Sequence, residues 1–421
     1  MNETRPFRGN TSACAVAIAI ASIGVPAVAQ ELPPPQLVLA SSGTETFHDS
    51  ALQGCGTTKV HIDGPVRLFR DQDDLVHMTV GDPQARAWQW TGSVADFAAL
   101  PSSASLDCTP VMLGDVGNDT IDRFDQKTFL QALHFDPETA YVYGYGHEDY
   151  FGTRLDDPDC HKAGVTDGKP QCWYSAVAIW KADTLDTTPA GHLSFSKLKS
   201  VPWHVAIYPH VVYPGDAGTP AAGWIGYGAP SNLVRGFNQD GQADGYHYFF
   251  AYTSSGFGEQ DKGVCLFRSD DPTLRQNWRA WNGSTTTPAF TQQMNNPYIS
   301  STAPCAVVNP DTFKSYVRSV HWHPASRHYV AVFRDGNGVR YATSRDLVTW
   351  NASEPLLTST SSQVNYPSLV DLDGGTPAVA GNGHNFDVVH DLGRTYLYFR
   401  TSVAWGHTQI NRQRIEVANY P

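Results

Sequence analysis

The sequence predicts an all-β chain folded as a five-bladed propeller in a single domain. Three observations carry this. First, one pattern recurs five times: a β-rich run, a polar turn, and a second β-rich run. The pairs are residues 66–70 and 75–81, 129–135 and 140–145, 233–237 and 246–252, 317–323 and 328–333, and 368–372 and 395–400. Second, three units end alike. The motif Ser-x-Asp-Leu-x-x-Trp spans 344–350, a related Ser-Asp-Asp-Pro followed by Asn277 and Trp278 stands one unit earlier, and a looser copy runs from Lys181 to Phe195. Third, no long amphipathic helix or heptad interrupts the series. Multi-strand units repeated at tens of residues are the mark of a propeller.

Each unit is justified locally. The turns at 71–74, 136–139, 238–241, 324–327 and 391–394 are rich in Asp, Asn, Gly and Pro, residues that reverse a chain at low steric cost. The terminal motif reads as a short Asp turn followed by an aromatic folded back onto the blade. Blades are expected at about 59–115, 116–205, 206–295, 296–356 and from there to the end. Residues 30–58, rich in Pro, Ser and Gly, read as an extended lead-in. A long insert at 146–173 and a Gly-rich stretch at 214–229 are expected to be loops shaping one side of a cleft.

Residues 1–29 read as a secretory signal: Arg5 and Arg8, an apolar stretch over 13–25, and a small-residue cleavage site at Ala27-Val-Ala29. The apolar stretch is short for a membrane span, so a secreted or periplasmic protein is expected. Of seven cysteines, Cys14 falls in the signal. The other six, Cys55, Cys108, Cys160, Cys172, Cys265 and Cys305, predict three disulfides with fifteen connectivities. Nearest-neighbour pairing (55–108, 160–172, 265–305) is the expectation. Zinc is disfavoured because no pair has C-x-x-C spacing.

The net charge is −12 with no basic run, which argues against nucleic acid as a partner. Aromatics make up 12% of the chain and charged residues 17%. That balance suits a surface that stacks on sugar rings, so a polysaccharide or oligosaccharide is the expected partner of a monomer. No nucleophile elbow, phosphate loop or dinucleotide fingerprint is present in its required context. No cofactor is predicted. Calcium in the central channel is compatible with the fold, but no Asp-rich loop of the Ca²⁺-binding kind occurs. The sequons at Asn118, Asn282 and Asn351 count only in a eukaryotic secretory pathway.

Propeller function collects in the central funnel, so strand starts supply the candidates. Asp63 precedes the first innermost strand. The densest chemical cluster is Tyr145 to Gly152, just after the second strand of blade two, with His147, Glu148, Asp149 and Tyr150. Candidate substrate contacts are Arg67 and Arg70 on blade one, Trp173 closing the insert, Asn232 on blade three, Arg318 and His321 on blade four, and Asn365 and Tyr366 on blade five. His321 and His323, two apart on a strand, face one side.

The blade pattern and the stretch from Ile62 to Arg70 resemble glycoside hydrolase family 43, and more broadly family 32 and sialidase-type propellers. The resemblance implies Asp63 as general base or nucleophile, paired with a second carboxyl as acid. In that family the acid is a Glu opening a later innermost strand. No Glu opens the third or fourth innermost strand here, which leaves Glu148 as the expected acid. Two other readings stay open. His147 and Tyr150 could be the base and acid of a polysaccharide lyase, with Arg67, Arg318 or Asn232 neutralising a uronate. A sugar-binding propeller without catalysis is the third.

Overall fold

A computed structural model describes residues 31–115, 126–151, 173–183, 191–198, 204–207, 224–253, 260–286, 289–295, 303–336, 338–359, 364–374, 383–390 and 393–420. The chain from Pro34 onward is one compact unit. Its strands form five sheets of four or more strands, arranged as blades and antiparallel except for one parallel pair in the second, Trp173–Asp183 with Trp224–Gly226.

Blade one is Arg67–Arg70, Val76–Gly81, Arg86–Gly92 and Ser105–Leu113. Blade two opens with Lys127–Asp136, Tyr141–Phe151 and Trp173–Asp183. Blade three runs Val234–Phe237, Ala243–Thr253, Gly263–Ser269, Arg279–Trp281 and Phe290–Gln292. Blade four is Val317–His323, His328–Asp335, Gly338–Ser344 and Glu354–Leu357. Blade five is Val364–Asp371, Thr395–Ala404 and His407–Val417, completed by Leu37–Asp49 from the start of the chain. The first and second strands of every blade coincide with the five repeated pairs read from the sequence.

Three segments differ from expectation. The lead-in is not a mere tether. Leu37–Asp49 pairs with His407–Val417 as the outermost strand of the last blade, so both ends of the described chain close the ring together. Its run of Ser, Gly, Thr and Glu hides the strand in the sequence, because only its two ends are buried. The expected start of blade three belongs to blade two: His204–Ile207 and Trp224–Gly226 both pair with Trp173–Asp183. The insert at 146–173 begins inside a strand, since Tyr141–Phe151 continues through the polar cluster.

The blade-end motif folds as its residues dictate. Asp346 Oδ1 accepts from the Val348 and Thr349 amides, and Trp350 Nε1 donates to Leu347 O at 2.8 Å. The indole packs edge-on to Phe250 and Phe313 between blades three and four. One unit earlier Asp271 holds the Thr273 amide and Trp278 is fully buried. Burial of such side chains contributes roughly 2–3 kcal/mol each.

Two disulfides follow the nearest-neighbour expectation, Cys55–Cys108 and Cys265–Cys305, with Cα–Cα distances of 5.1 and 5.9 Å. Cys160 and Cys172 lie outside the described residues, as does Asn118. Among the described residues no helix is long and apolar enough to cross a membrane.

Candidate functional site

The innermost strands of blades one, two, four and five meet around one arginine. Arg67 Nε donates to Gln131 O at 2.6 Å, Nη1 to Ser368 Oγ at 3.1 Å, and Nη2 to Arg318 O at 2.6 Å. Burial, then the neighbouring Arg318, pushes its guanidinium down to about 9. Arg67 therefore ties strands together inside the channel and is not among the residues that line the cavity at the channel's end. Asn232 does the same between blades three and four: it donates to Val320 O and accepts from the Val320 amide, both at 2.7 Å. His321 is buried in the channel beside Ser319, and burial pushes it down to about 3.

A cavity of about 390 Å³ opens at one end of this channel. The starts of the innermost strands point into it, as does the far end of the second strand of blade two. Of the residues expected from the sequence, it brings together Asp63, His147, Trp173, Arg318 and Tyr366. Asp149, Lys127, Phe129, Gln131, Phe151 and Tyr316 complete most of the wall.

Strand alternation decides which members of the polar cluster reach it. On Tyr141–Phe151, His147, Asp149 and Phe151 face the cavity, and Glu148 and Tyr150 point the other way. His147 stands opposite Phe129, and Asp149 opposite Lys127 and Ser175. Glu148 is wholly buried within the blade. It accepts from Lys197 Nζ at 2.6 Å and Thr128 Oγ1 at 3.1 Å, and His204 Nε2 lies 3.3 Å away. Tyr150 is buried against Tyr174. Glu148 is thus not at the funnel, and the His147–Tyr150 pair of a lyase is not assembled.

Asp149 Oδ1 accepts from His147 Nε2 at 2.8 Å, Trp173 Nε1 at 2.7 Å and Ser175 Oγ at 2.5 Å. His147 Nδ1 accepts from the Ala229 amide at 3.1 Å, so the proton sits on Nε2 and points at Asp149. A side chain at Gly228 would place its Cβ 2.7 Å from His147 Cε1, so only glycine admits the ring there.

Bulges aim the remaining side chains. The innermost strands slip register between Leu130 and Ala132, Val317 and Ser319, and Asn365 and Ser368. Gln131, Arg318 and Tyr366 lie within those slips and line the cavity. Tyr366 and Ala229, both on the wall, hold positive φ of 53° and 52°. Such backbone costs about 1–3 kcal/mol per residue and clusters at functional sites.

The Arg318 guanidinium lies 4.3 Å over the Tyr316 ring and 4.8 Å over Tyr366. Burial lowers it from the ordinary arginine range, against the pull of Tyr366, Tyr316 and Asp63. Asp63 is fixed by its amide, which donates to Gly81 O at 2.8 Å, and by the Tyr366 hydroxyl, which donates to Oδ1 at 3.2 Å. Burial, then the Asp63 carboxylate, pushes the Tyr366 hydroxyl well above the ordinary phenol range. It stays a donor at neutral pH.

Arg70 and Asn365 are placed elsewhere. Arg70 ends its strand away from the cavity, 3.6 Å from Asp74. Asn365 accepts from Arg334 at 2.6 Å between blades four and five. Among the described residues no group of three or more His, Cys, Asp and Glu could hold a metal ion.

Sequence reasoning named Asp149 in its cluster without giving it a role, and passed over Lys127, Gln131, Phe129, Phe151 and Tyr316. Asp149 had a usable signal. It sits two residues from His147, and extending the strand through the cluster puts both on one face.

No family model and no curated protein matches this chain. Solved structures do. A protein of unknown function from Dyadobacter fermentans is 11% identical, with TM-score 0.43, covering 89% of this chain and 100% of its own. A putative exo-β-1,3-galactanase from Bifidobacterium bifidum is 12% identical, with TM-score 0.44, covering 89% and 94%. An α-L-arabinanase from Cellvibrio cellulosa is 12% identical, with TM-score 0.42, covering 85% and 91%. Similarity at this level adds nothing to what the strands and the cavity display by themselves.

Proposed function

We propose that the protein is an exported, carbohydrate-active enzyme that hydrolyses a glycosidic bond in the funnel cavity. The observation that carries this is the meeting of two carboxyls, Asp63 and Asp149, in one cavity walled by Trp173, Tyr316 and Tyr366. Glycoside hydrolysis needs two carboxyls flanking the bond, and aromatic walls suit the apolar faces of a sugar. Asp63, oriented by Tyr366, takes the role of base toward water. Asp149 takes the acid's place, with its Oδ1 anchored and its Oδ2 without a hydrogen bond among the described residues. Arg318, held between two tyrosines, offers donors to sugar hydroxyls. The disulfides support an oxidising compartment.

One observation favours a second reading, a sugar-binding propeller without catalysis. Three donors converge on Asp149 Oδ1, an arrangement that orients a carboxylate as an acceptor, and no Glu among the described residues lines the cavity.

The test is a panel of arabinose-containing, β-1,3-galactan and acidic polysaccharides, read in parallel for reducing ends and for the ultraviolet absorbance of unsaturated uronates. Hydrolysis predicts reducing ends without absorbance, lost in Asp63→Asn. Binding of a glycan with neither signal would replace the hydrolase by the binding module, and absorbance would restore the lyase.

A further inference from the structure

The geometry points to a second sugar platform, Trp405, on the same face as the funnel mouth but outside the cavity. The inference deepens the carbohydrate reading and rests on it for the class of ligand. It adds that the ligand is a polymer long enough to reach the rim.

Trp405 is 103% exposed, the one aromatic among the exposed large hydrophobic residues described. It stands with Gly406, at φ 70°, at the tip of the hairpin joining Thr395–Ala404 to His407–Val417. Tryptophan is among the more buried residues on average, and a wholly exposed indole adds nothing to the core of the fold.

Its position follows from register. Thr401 pairs with Val364, at the end of the blade where Tyr366 enters the cavity, and the hairpin continues past that level. In blade two the corresponding end of the second and third strands carries His147, Asp149 and Trp173 into the cavity. Trp405 thus stands on the mouth face, further out along the last blade. A cavity of about 390 Å³ is the size of a small-ligand site, so a longer glycan must leave it across this face.

The surroundings suit a sugar better than a protein partner. Beside the hairpin, His407 Nε2 and Gln409 Nε2 donate to the buried Asp49 at 2.8 and 2.6 Å, so the indole stands next to polar side chains, with His407 itself partly exposed. The other exposed apolar side chains at this end, Val403 and Leu52, are small additions. Together they fall far short of the roughly 800 Å² per partner that a stable protein interface buries.

The experiment is affinity electrophoresis of the full chain in native gels cast with arabinan, β-1,3-galactan or an acidic polysaccharide, beside titration with trisaccharides of the same sugars. Trp405→Ala should weaken binding to the retarding polymer about tenfold. It should leave trisaccharide binding unchanged, and Trp405→Phe should recover most of the loss. Trp173→Ala should weaken both. Equal retardation of wild type and Trp405→Ala overturns the platform, as does a wild type retarded by no polymer. A Trp405-dependent dimer in sedimentation also overturns it, by putting a second copy in the sugar's place. Because binding is read without turnover, polymer retention through Trp405 with no cleavage would sink the hydrolase and keep the platform.

Discussion

The Tyr366 hydroxyl donates to Asp63 Oδ1 at 3.2 Å, across 303 residues of sequence and the seam between the first and last blades. The ring is closed further out by Leu37–Asp49, which joins His407–Val417 in the last blade before the chain enters the first. The candidate base is therefore oriented by the contact that completes the ring. Tyr366 is a positioning residue here. Tyr366→Phe should lower kcat about tenfold with little change in KM, a loss of roughly 1.4 kcal/mol in transition-state stabilisation. A shift confined to KM would show that the hydroxyl binds sugar instead.

Glu148 holds blade two together. Its carboxylate meets Lys197, Thr128 and His204 where solvent does not reach. Removing one member of a buried charged group leaves the others unpaired, at about 3–5 kcal/mol. Glu148→Gln should lower the urea midpoint clearly, with the m-value retained. An unchanged midpoint would contradict its placement inside the blade.

The channel histidine is one of the buried groups that make the fold sensitive to acid. His321 is pushed down to about 3 in the folded chain, by burial first, with Asp387 opposing and Arg67 reinforcing. The unfolded chain takes up this proton near the ordinary value of about 6.5. Between those values the unfolded state binds more protons, so stability falls as pH drops from about 6.5 toward 3. Unfolding free energies measured from pH 7 to pH 4 should decline, and His321→Gln should flatten the slope. A slope identical in the variant would assign the loss to other groups, with His134 and His247, both also lowered by burial, next in line.

The Cys265–Cys305 bond joins the third strand of blade three to the segment before blade four, 40 residues apart. Closing a loop of that length stabilises by roughly 4 kcal/mol in the chain-entropy account. Cys265→Ser with Cys305→Ser should lower the melting temperature by several degrees and leave glycan binding intact. Loss of binding without loss of stability would place this bond in the site.

The repeated strand–turn–strand units were legible because strand propensity and turn chemistry are local. The ring closure was not. Leu37–Asp49 buries only its ends, so its middle reads as loop, and its partner lies hundreds of residues away. Asp63, Arg318 and Tyr366 were legible as residues at strand starts. Arg67 and Asn232 share that position and yet serve the backbone, donating to carbonyls of neighbouring innermost strands. The carboxyl that faces the cavity was misplaced by one residue. Reading 145–152 as a loop gave Glu148 and Asp149 equal access. Once the strand runs to Phe151, a one-residue step moves a side chain to the opposite face.

That step is also the most direct test of the site. Asp149→Asn, Glu148→Gln and wild type should be compared, at a temperature where all are folded, for reducing ends released from the polymer that the wild type cleaves. The geometry predicts that Asp149→Asn is silent while Glu148→Gln keeps its turnover. Turnover in Asp149→Asn with silence in a folded Glu148→Gln would contradict it.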